Sequence, residues 1–342
     1  MDLPPSFLLC FIVFASSALF LFIQRRNNSV TGKLPPGPPG WPIFGNMFDL
    51  GTMPHRTLTR LRDNYGQVIW LRLGAVNTMV ILSTKAATEF FKNYDLTFAE
   101  RHITEIMRAH GYHKSSVALA PYGSYWRVLR RLVTVDMLVN KRINETTCVR
   151  RKYSKEGSEF FLVILRLMSL SGTGNIADYF PWLKWLDPQG LKRKMNKDLG
   201  KAIEIASKFV KQRMEDKKLS ENNKRDFLDL LLEFEGNGKD EPAKLSDQNL
   251  NVFILELFMA GSETTSSTVE WALTELLCNL ESMVKVKAEL SRVVGPNKRV
   301  EESDIQNLHY LNAVIKETFR LHPPIPFLVP RRAMRDTEFM GY

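Results

Sequence analysis

The sequence has few cysteines and lacks the usual metal-binding signatures. Its 342 residues include three cysteines, Cys10, Cys148 and Cys278, which is too few for a fold stapled by disulfides. No CxxC or HExxH motif is present, which excludes the common zinc-site patterns. With 21 Phe, 9 Tyr and 6 Trp the chain has enough large apolar side chains for a core, so a fully disordered protein is excluded.

Charged side chains are almost absent from the first two dozen residues. Asp2 is the only one before Arg25, and residues 6–23 form an uncharged, largely apolar run. A helix of this length can just cross a bilayer. Arg25 and Arg26 favour a cytosolic position for the rest of the chain. We predict an uncleaved transmembrane anchor over residues 1–24. A cleaved signal peptide is the alternative, but no Lys or Arg precedes the apolar run.

A basic, proline-rich linker over residues 25–42 follows the anchor. Prolines occupy five of the nine positions in residues 34–42, and they make a semi-rigid spacer before the domain at residues 43–342. The formal net charge of +10 predicts acidic partners. Residues 191–225 contain twelve Lys or Arg and five Asp or Glu, which is typical of a solvated helix face. Because no nucleic-acid-binding motif accompanies these residues, we predict no nucleic-acid partner.

Hydrophobic periodicity predicts a mostly α-helical domain with one small β-sheet near its start. The strands are predicted at residues 67–73 and 78–82, as a hairpin around residues 74–77. The helices are predicted from apolar spacing and capping residues. They cover residues 85–93, 123–139, 199–218, 226–234, 247–279, 282–294 and 308–321.

The predicted helix over residues 247–279 changes character along its length. Ser246 is a suitable N-cap, and the first part of the helix is apolar. Residues 260–268 then contain one glycine and six Ser or Thr, which lower helix propensity and compete for backbone hydrogen bonds. Such a segment within a long helix indicates either a functional site or a polar helix–helix contact.

Four residues of this polar segment have side chains suited to a ligand. Ala260 and Gly261 are small enough to let a flat ligand lie against the helix. Thr264 can donate to the carbonyl oxygen of Ala260 one turn earlier, which would give a groove with a polar wall. Glu263, next to it, can serve as a proton source. These residues make a candidate binding face.

A second cluster of charged residues lies near the end of the sequence. Glu317 and Arg320 are three positions apart, so they share one face of a predicted helix, an arrangement that is ordinarily a surface ion pair. The helix leads into a proline-rich, apolar stretch at residues 322–330, and Arg331 follows it.

A third cluster lies in the predicted helix over residues 123–139. Trp126 and Arg130 are four positions apart, so their side chains share one helix face. An aromatic ring and a guanidinium placed in this way can stack on and pair with an anionic cofactor.

Together these motifs resemble those of the cytochrome P450 superfamily, and specifically of a microsomal plant enzyme. The resemblance extends over the whole chain, and five motifs occur in the family's order. They are the proline-rich hinge at residues 35–40, the WxxxR of Trp126 and Arg130, the (A/G)Gx(D/E)T of residues 260–264, the ExxR of Glu317 and Arg320, and Arg331 after the substrate-lining strand. Residues 103–147 and 176–190 further resemble plant family 76, the relatives of geraniol hydroxylase.

The resemblance implies a haem-thiolate monooxygenase that binds haem b and inserts one oxygen atom of O2 into a small lipophilic, terpenoid-like plant metabolite. The implied catalytic proton donors are Glu263 and Thr264. The implied haem-binding residues are Trp126, Arg130, Ala260, Gly261 and Arg331, and the ExxR pair is structural. The implied substrate pocket consists of Ile103, Val117, Leu257, Ile325, Phe327 and Leu328.

The resemblance also implies partners and a location. Electrons would come from NADPH-cytochrome P450 reductase, with cytochrome b5 as a second candidate partner. The reductase would dock on a basic face that includes Arg127 and Arg131. The implied location is the endoplasmic reticulum membrane, with a single pass through the lipid bilayer and the catalytic domain in the cytosol.

The sequence departs from the family pattern in two places. It ends before the family's FxxGxRxCxG loop, and none of its three cysteines stands in such a context, so no haem-ligand cysteine is identified. The stretch between Arg130 and Asp178 is too short for the family's helices, which indicates an internal gap near residues 150–160. If the pair of Glu317 and Arg320 is buried as in the family, the lack of its third partner leaves charge uncompensated. We therefore expect an incomplete, inactive P450 fold.

Two alternatives stay open from the sequence. One is a non-catalytic, membrane-anchored binding protein that competes for the reductase, which would accumulate stably without haem. The other is a fragment of a flavonoid-hydroxylase-like P450.

Overall fold

The structure is a computed structural model that describes residues 10, 12–17, 19, 33–137, 155–219, 227–239 and 241–342. The chain divides into two compact units. The first comprises residues 1–100, 175–190 and 331–342, and the second comprises residues 101–174 and 191–330. The predicted anchor lies for the most part outside the described residues, as does part of the predicted gap region, so both stay predictions.

Helices dominate the described chain, with two small sheets. In chain order the helices are α1 (Pro54–Tyr65), α2 (Thr84–Asn93), α3 (Tyr112–Ser115), α4 (Ser124–Arg131), α5 (Lys155–Gly172), α6 (Ile176–Tyr179), α7 (Leu191–Leu219), α8 (Phe227–Leu232), α9 (Asp247–Cys278), α10 (Leu280–Val293), α11 (Glu302–Ile305) and α12 (His309–Leu321). The strands are β1 (Val68–Leu73), β2 (Val76–Ile81), β3 (Glu100–Arg101) and β4 (Arg331–Arg332). The predicted class, mostly α with a small sheet, is confirmed.

The first unit contains the predicted hairpin. Strands β1 and β2 pair antiparallel with Val68 opposite Ile81 and Leu73 opposite Val76, which leaves a turn of two residues. Gly74 in this turn has a φ of 59°, and a Cβ there would lie 2.6 Å from the carbonyl oxygen of Tyr179. A side chain at this position is therefore excluded by both conformation and space. The second sheet pairs β3 with β4.

The second unit has its core around the first half of α9. Leu255 packs in a cluster with residues of α5 and α7, including Leu167 and Leu199. Phe253 packs in another cluster with residues of α4 and α8, including Leu129. The second half of α9 is different, because all of its large apolar side chains except Leu276 are exposed. They are Val269, Trp271, Leu273 and Leu277.

Helix α5 is long and strongly apolar. Residues 157–179, which include most of α5, are long and apolar enough to cross a membrane by length and composition alone, and a third of the most apolar window is buried inside the molecule. Val163 and Leu167 on one face of α5 are fully buried in the core, whereas Phe161 and Leu162 are exposed. The buried face is that of a core helix.

Candidate active site

The polar segment of α9 satisfies its hydroxyl groups within the helix. The Oγ1 of Thr264 donates to the carbonyl oxygen of Ala260 at 2.6 Å, as predicted. The Oγ1 of Thr268 does the same to the carbonyl oxygen of Thr264 at 2.7 Å. Because these bonds reach one turn back along the same helix, α9 continues through the segment from Asp247 to Cys278.

One face of this segment is open. Ala260 and Gly261 are both exposed, and a Cβ added at Gly261 would meet no atom within 4 Å. Glu263 and Thr264 are half-buried. A flat group can therefore approach the helix backbone at residues 260 and 261, with two proton-bearing side chains next to it.

Trp126 uses its indole N–H within the chain. Its Nε1 donates to the carbonyl oxygen of Val117 at 2.8 Å, and its ring lies 5.5 Å from that of Tyr122. Arg130, one turn further along α4, is exposed. Among the described residues, none forms an ion pair with its guanidinium. Of the two residues in this motif, Arg130 is therefore the one whose side chain can bind an anion.

Glu317 and Arg320 form a two-pronged ion pair near the end of α12. The Nε and Nη2 of Arg320 donate to the two carboxylate oxygens of Glu317 at 2.7 and 2.5 Å. These hydrogen bonds lower the pKa of Glu317. The side chains are 55% and 65% exposed for Glu317 and Arg320. A buried pair without its third partner was expected to leave a charge uncompensated. That expectation does not apply here, because water solvates both groups.

Arg331 lies in the first unit, unlike the other predicted site residues. Its Nη1 donates to the Oδ1 of Asp95 at 2.6 Å and to the carbonyl oxygen of Phe98 at 3.3 Å. Its guanidinium also lies 5.1 Å from the ring centroid of Phe91. Arg331 already has a carboxylate partner within its own unit.

The predicted pocket residues fall into two groups. Val117 and Leu257 are half-buried and pack against the same core cluster, so the structure brings them together. Ile103 is also half-buried. The remaining three are largely exposed, namely Ile325, Phe327 and Leu328.

One buried carboxylate, that of Glu256, was not predicted. Its Oε1 accepts from the Oγ of Ser116 at 2.6 Å and from the backbone N–H of Ala118 at 3.0 Å. Its Oε2 accepts from the backbone N–H of Val117 at 2.6 Å. Burial raises the pKa of Glu256, and these three hydrogen bonds oppose the rise. A charged residue in the apolar half of a long helix is the signal that marks it in the sequence.

Two tyrosines lie close to this carboxylate. Burial, and secondarily the charge of Glu256, raise the pKa of Tyr112 and of Tyr125. Both effects favour the protonated phenols. Tyr125 donates to the carbonyl oxygen of Ser115 at 3.4 Å, so it joins the same segment.

Comparison with known proteins identifies the family. The chain matches the family described as Cytochrome P450 over residues 35–156 and 146–342. The chain belongs to the cytochrome P450 family. The P450 fold, the resemblance to family 76 and the monooxygenase class that the motifs predicted are thereby confirmed.

Three relatives illustrate how this P450 compares with known members. "Cytochrome P450 76A2" of Solanum melongena is 46% identical, and the alignment covers 97% of this chain and 75% of the relative. Iridoid oxidase of Catharanthus roseus is 43% identical over 95% of this chain and 73% of the relative. Geraniol 8-hydroxylase of Catharanthus roseus is 32% identical over 94% of this chain and 73% of the relative.

Haem b is the cofactor that the P450 family implies, and the described residues supply part of a binding site for it. The open face at Ala260 and Gly261 suits a flat macrocycle, and Arg130 suits a propionate. The N–H of Trp126 and the Nη1 group of Arg331 are engaged elsewhere in the chain. The described cysteines, Cys10 and Cys278, are exposed, and Cys148 lies outside the described residues. A cysteine ligand is therefore not identified among the described residues, nor is any cluster of three metal-binding side chains.

Proposed function

We propose that this chain contains the substrate-binding and proton-transfer residues of a haem-thiolate monooxygenase. The proposed reaction inserts one oxygen atom of O2 into a small lipophilic, terpenoid-like metabolite, with electrons from NADPH-cytochrome P450 reductase. The observation that carries the proposal is the hydrogen bond from Thr264 to Ala260 on an open face of α9, with Glu263 adjacent. The relatives named iridoid oxidase and geraniol 8-hydroxylase support the substrate class.

Glu263 and Thr264 are the proposed proton-transfer pair. Haem would supply the oxidation once bound. The proton of the Thr264 hydroxyl points at the Ala260 carbonyl oxygen, so the lone pairs of its Oγ1 can accept a second proton. The half-buried carboxyl of Glu263 can bring that proton from solvent. To pass on its own proton, the Thr264 hydroxyl would turn from the Ala260 carbonyl oxygen toward a ligand on the open face, which would accept that proton, so the two residues act as a relay.

The remaining site residues are proposed to position the cofactor and the substrate. Ala260 and Gly261 would face the macrocycle, and Arg130 would pair with a propionate. Trp126 can do so only by releasing or sharing its present acceptor, the carbonyl oxygen of Val117, whereas Arg331 would share its guanidinium with Asp95. The ExxR pair is proposed to be structural. The proposed substrate pocket is formed by Ile103, Val117, Leu257, Ile325, Phe327 and Leu328.

The proposed partners are the lipid bilayer and an acidic reductase, with cytochrome b5 as a second candidate electron donor. Five exposed aromatic side chains of the first unit form what we call the aromatic surface. They are Trp41, Phe44, Phe48, Trp182 and Trp185. Phe44 contacts Phe48, and Phe180 contacts both Phe44 and Trp182, so three of these five rings are linked, two of them through Phe180. Tryptophan side chains favour the membrane–water interface, which supports a location at a membrane surface. The membrane we propose is that of the endoplasmic reticulum, with the domain in the cytosol.

The basic face proposed for the reductase includes two arginines of α4. Arg127 lies over the ring of Tyr122 at 5.9 Å and is exposed. Arg131 forms an ion pair with Glu241 at 2.9 Å but is also half-exposed. An acidic partner can compete for Arg131 because an exposed ion pair contributes little.

We also propose that these 342 residues, expressed by themselves, do not catalyse the oxidation. None of the three cysteines stands in the sequence context of a haem-ligand loop. An internal gap near residues 150–160 is supported by the two family matches, which meet within residues 146–156. Both features would leave haem without its thiolate and the core without part of its helices.

Spectroscopy of the 342-residue protein tests this directly. The protein is expressed in microsomes with added haem precursor, and the reduced sample is exposed to CO. We expect no band of thiolate-ligated haem. The appearance of that band would contradict the inactivity proposal and leave the monooxygenase proposal strengthened. Stable accumulation of the protein without haem would favour the non-catalytic binding protein.

A haemin titration tests the proposed haem face without requiring activity. Gly261→Leu places a side chain on the open face of α9, so we expect haemin affinity to fall about tenfold or more. Glu270→Leu is the matched control, because residue 270 is nine positions further along and lies on the opposite face of the helix. Equal affinities for the two variants would contradict the assignment of Ala260 and Gly261.

A further inference from the structure

The carboxylate of Glu256 binds three donors that are consecutive in the chain. They are the hydroxyl of Ser116 and the backbone N–H groups of Val117 and Ala118, at 2.6, 2.6 and 3.0 Å. Glu256 lies in the first half of α9, and residues 116–118 form part of the connection between α3 and α4. Both ends of the contact are fixed, because Ser116 and Glu256 are buried. The contact therefore joins a core helix to a loop through the loop's backbone.

The same loop residues are held from the other side by α4. The carbonyl oxygen of Val117 accepts from Nε1 of Trp126 at 2.8 Å. The backbone N–H of Leu119 donates to the Oγ of Ser116 at 3.1 Å, so the hydroxyl both donates and accepts. The N–H and the C=O of Val117 are thus bound to two different helices, which fixes the orientation of its side chain.

Two more hydrogen bonds connect α9 to the segment that leads into this loop. The Oγ of Ser115 donates to the Oδ1 of Asn249 at 2.8 Å, and the Nε2 of Gln248 donates to the carbonyl oxygen of His110 at 2.7 Å. Asn249 and Glu256 are seven positions apart, so they lie on one face of α9. This face binds the segment at two levels about two turns apart, and Glu256 is its last and most buried contact.

We propose that Glu256 is a positioning residue for the proposed substrate pocket of this P450. By binding the backbone of residues 116–118 it holds Val117 against the core cluster that also contains Leu257, and it keeps the indole of Trp126 in its present place. The proposal deepens the proposed function and rests on it, because Val117 and Leu257 are assigned there to the substrate pocket.

The donor set explains why a carboxylate is needed at this position. Both of its oxygens accept, one from Val117 and the other from Ala118 and Ser116. A glutamine has one acceptor oxygen and one donor nitrogen. In either orientation of its amide, one backbone N–H of the loop would face an N–H2 group. Glu256→Gln therefore keeps the size of the side chain and removes at least one of its hydrogen bonds to the backbone of the loop.

Hydrogen–deuterium exchange of the full 342-residue chain tests the positioning role. In Glu256→Gln we expect exchange at residues 117 and 118 to rise about tenfold, since a hydrogen bond to a charged group is lost. Exchange in the core parts of α5 and α7 should stay as in the wild type. Glu256→Asp, which keeps both acceptor oxygens, should restore part of the protection. Glu270→Gln, an exposed carboxylate on the same helix, is the matched control and should change nothing.

Two outcomes would overturn the proposal. One is unchanged exchange at residues 117 and 118, and the other is an equal rise throughout the second unit, which would mean a general loss of stability. If Glu256→Gln does not fold, Ser116→Ala removes one donor to Glu256 and the acceptor of the Leu119 N–H, so it should produce a smaller rise in exchange at residues 117–119. Unchanged exchange in that variant would overturn the proposal as well.

Binding of geraniol, measured by equilibrium dialysis, separates this inference from the proposed function. We expect the dissociation constant for geraniol to rise about threefold or more in Glu256→Gln, because Val117 is no longer held in the pocket. Local loosening with unchanged geraniol binding would support the positioning of the loop by Glu256 and overturn the assignment of Val117 to the pocket.

Discussion

The imidazole of His322 lies parallel to the indole of Trp271, with ring centroids 3.9 Å apart and an angle of 5° between the planes. The same imidazole donates from Nε2 to the Oε1 of Glu275 at 2.8 Å. His322 directly follows α12, whereas Trp271 and Glu275 belong to the second half of α9. These two contacts fix the end of α12 on a part of α9 where Val269, Leu273 and Leu277 are exposed.

Replacing His322 should therefore destabilise the protein. We expect His322→Ala to lower the free energy of unfolding by about 2 kcal/mol, as it removes a ring stack and a hydrogen bond to a carboxylate. His322→Phe keeps a ring and loses the hydrogen bond, so its effect should be about half as large. Urea unfolding measures both, with His309→Ala, an exposed histidine on α12, as the control. A control effect as large as that of His322→Ala would contradict the role of these contacts.

The ExxR pair should contribute little to stability in this chain. Glu317 and Arg320 are exposed, and solvent screens exposed ion pairs. We expect Glu317→Gln to leave the urea midpoint at pH 7 within experimental error. Arg320 lowers the pKa of Glu317, so any stabilisation by the pair is present above the unfolded pKa and is lost as the pH falls through the folded pKa. A large loss of stability at pH 7 would show that the pair is buried in the protein in solution.

Glu289 binds the N-terminal end of α12 and should contribute more to stability than Glu317 does. Its two oxygens accept from the backbone N–H groups of Tyr310 and Leu311 at 2.8 and 2.9 Å, donors that have no partner within the first turn of the helix. We expect Glu289→Gln to lower the urea midpoint clearly more than Glu317→Gln does. The hydrogen bond from Tyr310 lowers the pKa of Glu289, so the difference should shrink as the pH falls below about 4.5. A difference that stays constant down to low pH would contradict this explanation.

The sequence predicts those parts of the structure that depend on local pattern. The bond from Thr264 to Ala260, the N-cap of Ser246 and the hairpin follow from spacing and residue type, and all three are present. Helix α5 was not predicted, because its apolar residues continue around the helix and hide the periodicity. The partner of Trp126 was not predicted either. Its acceptor, the backbone of Val117, has no side-chain signature, and which carbonyl lies in reach depends on how the loop packs.

The aromatic surface should bind membranes even when the predicted anchor is removed. Trp185 is 80% exposed and Trp182 is also exposed, so both can enter the interfacial layer. The test uses a chain that starts at residue 33. In this chain we expect the double variant Trp182→Ala and Trp185→Ala to bind phosphatidylcholine vesicles about tenfold or more weakly than the unsubstituted protein does. Leu96→Ala, an exposed apolar residue of the same unit, is the control. Equal binding by the double variant and the control would contradict a role of the aromatic surface.

Glu256 should make stability depend on pH with the opposite sign to Glu289. Burial raises the pKa of Glu256, so the folded state favours its neutral form more than the unfolded state does. Its contribution to stability is therefore fully present below the unfolded pKa, near 4.5, and is lost as the pH rises through the folded pKa. Urea unfolding at a series of pH values should show the wild type losing stability relative to Glu256→Gln as the pH rises through this window. If the wild type instead gains stability relative to Glu256→Gln, the three hydrogen bonds outweigh burial and the pKa is lowered.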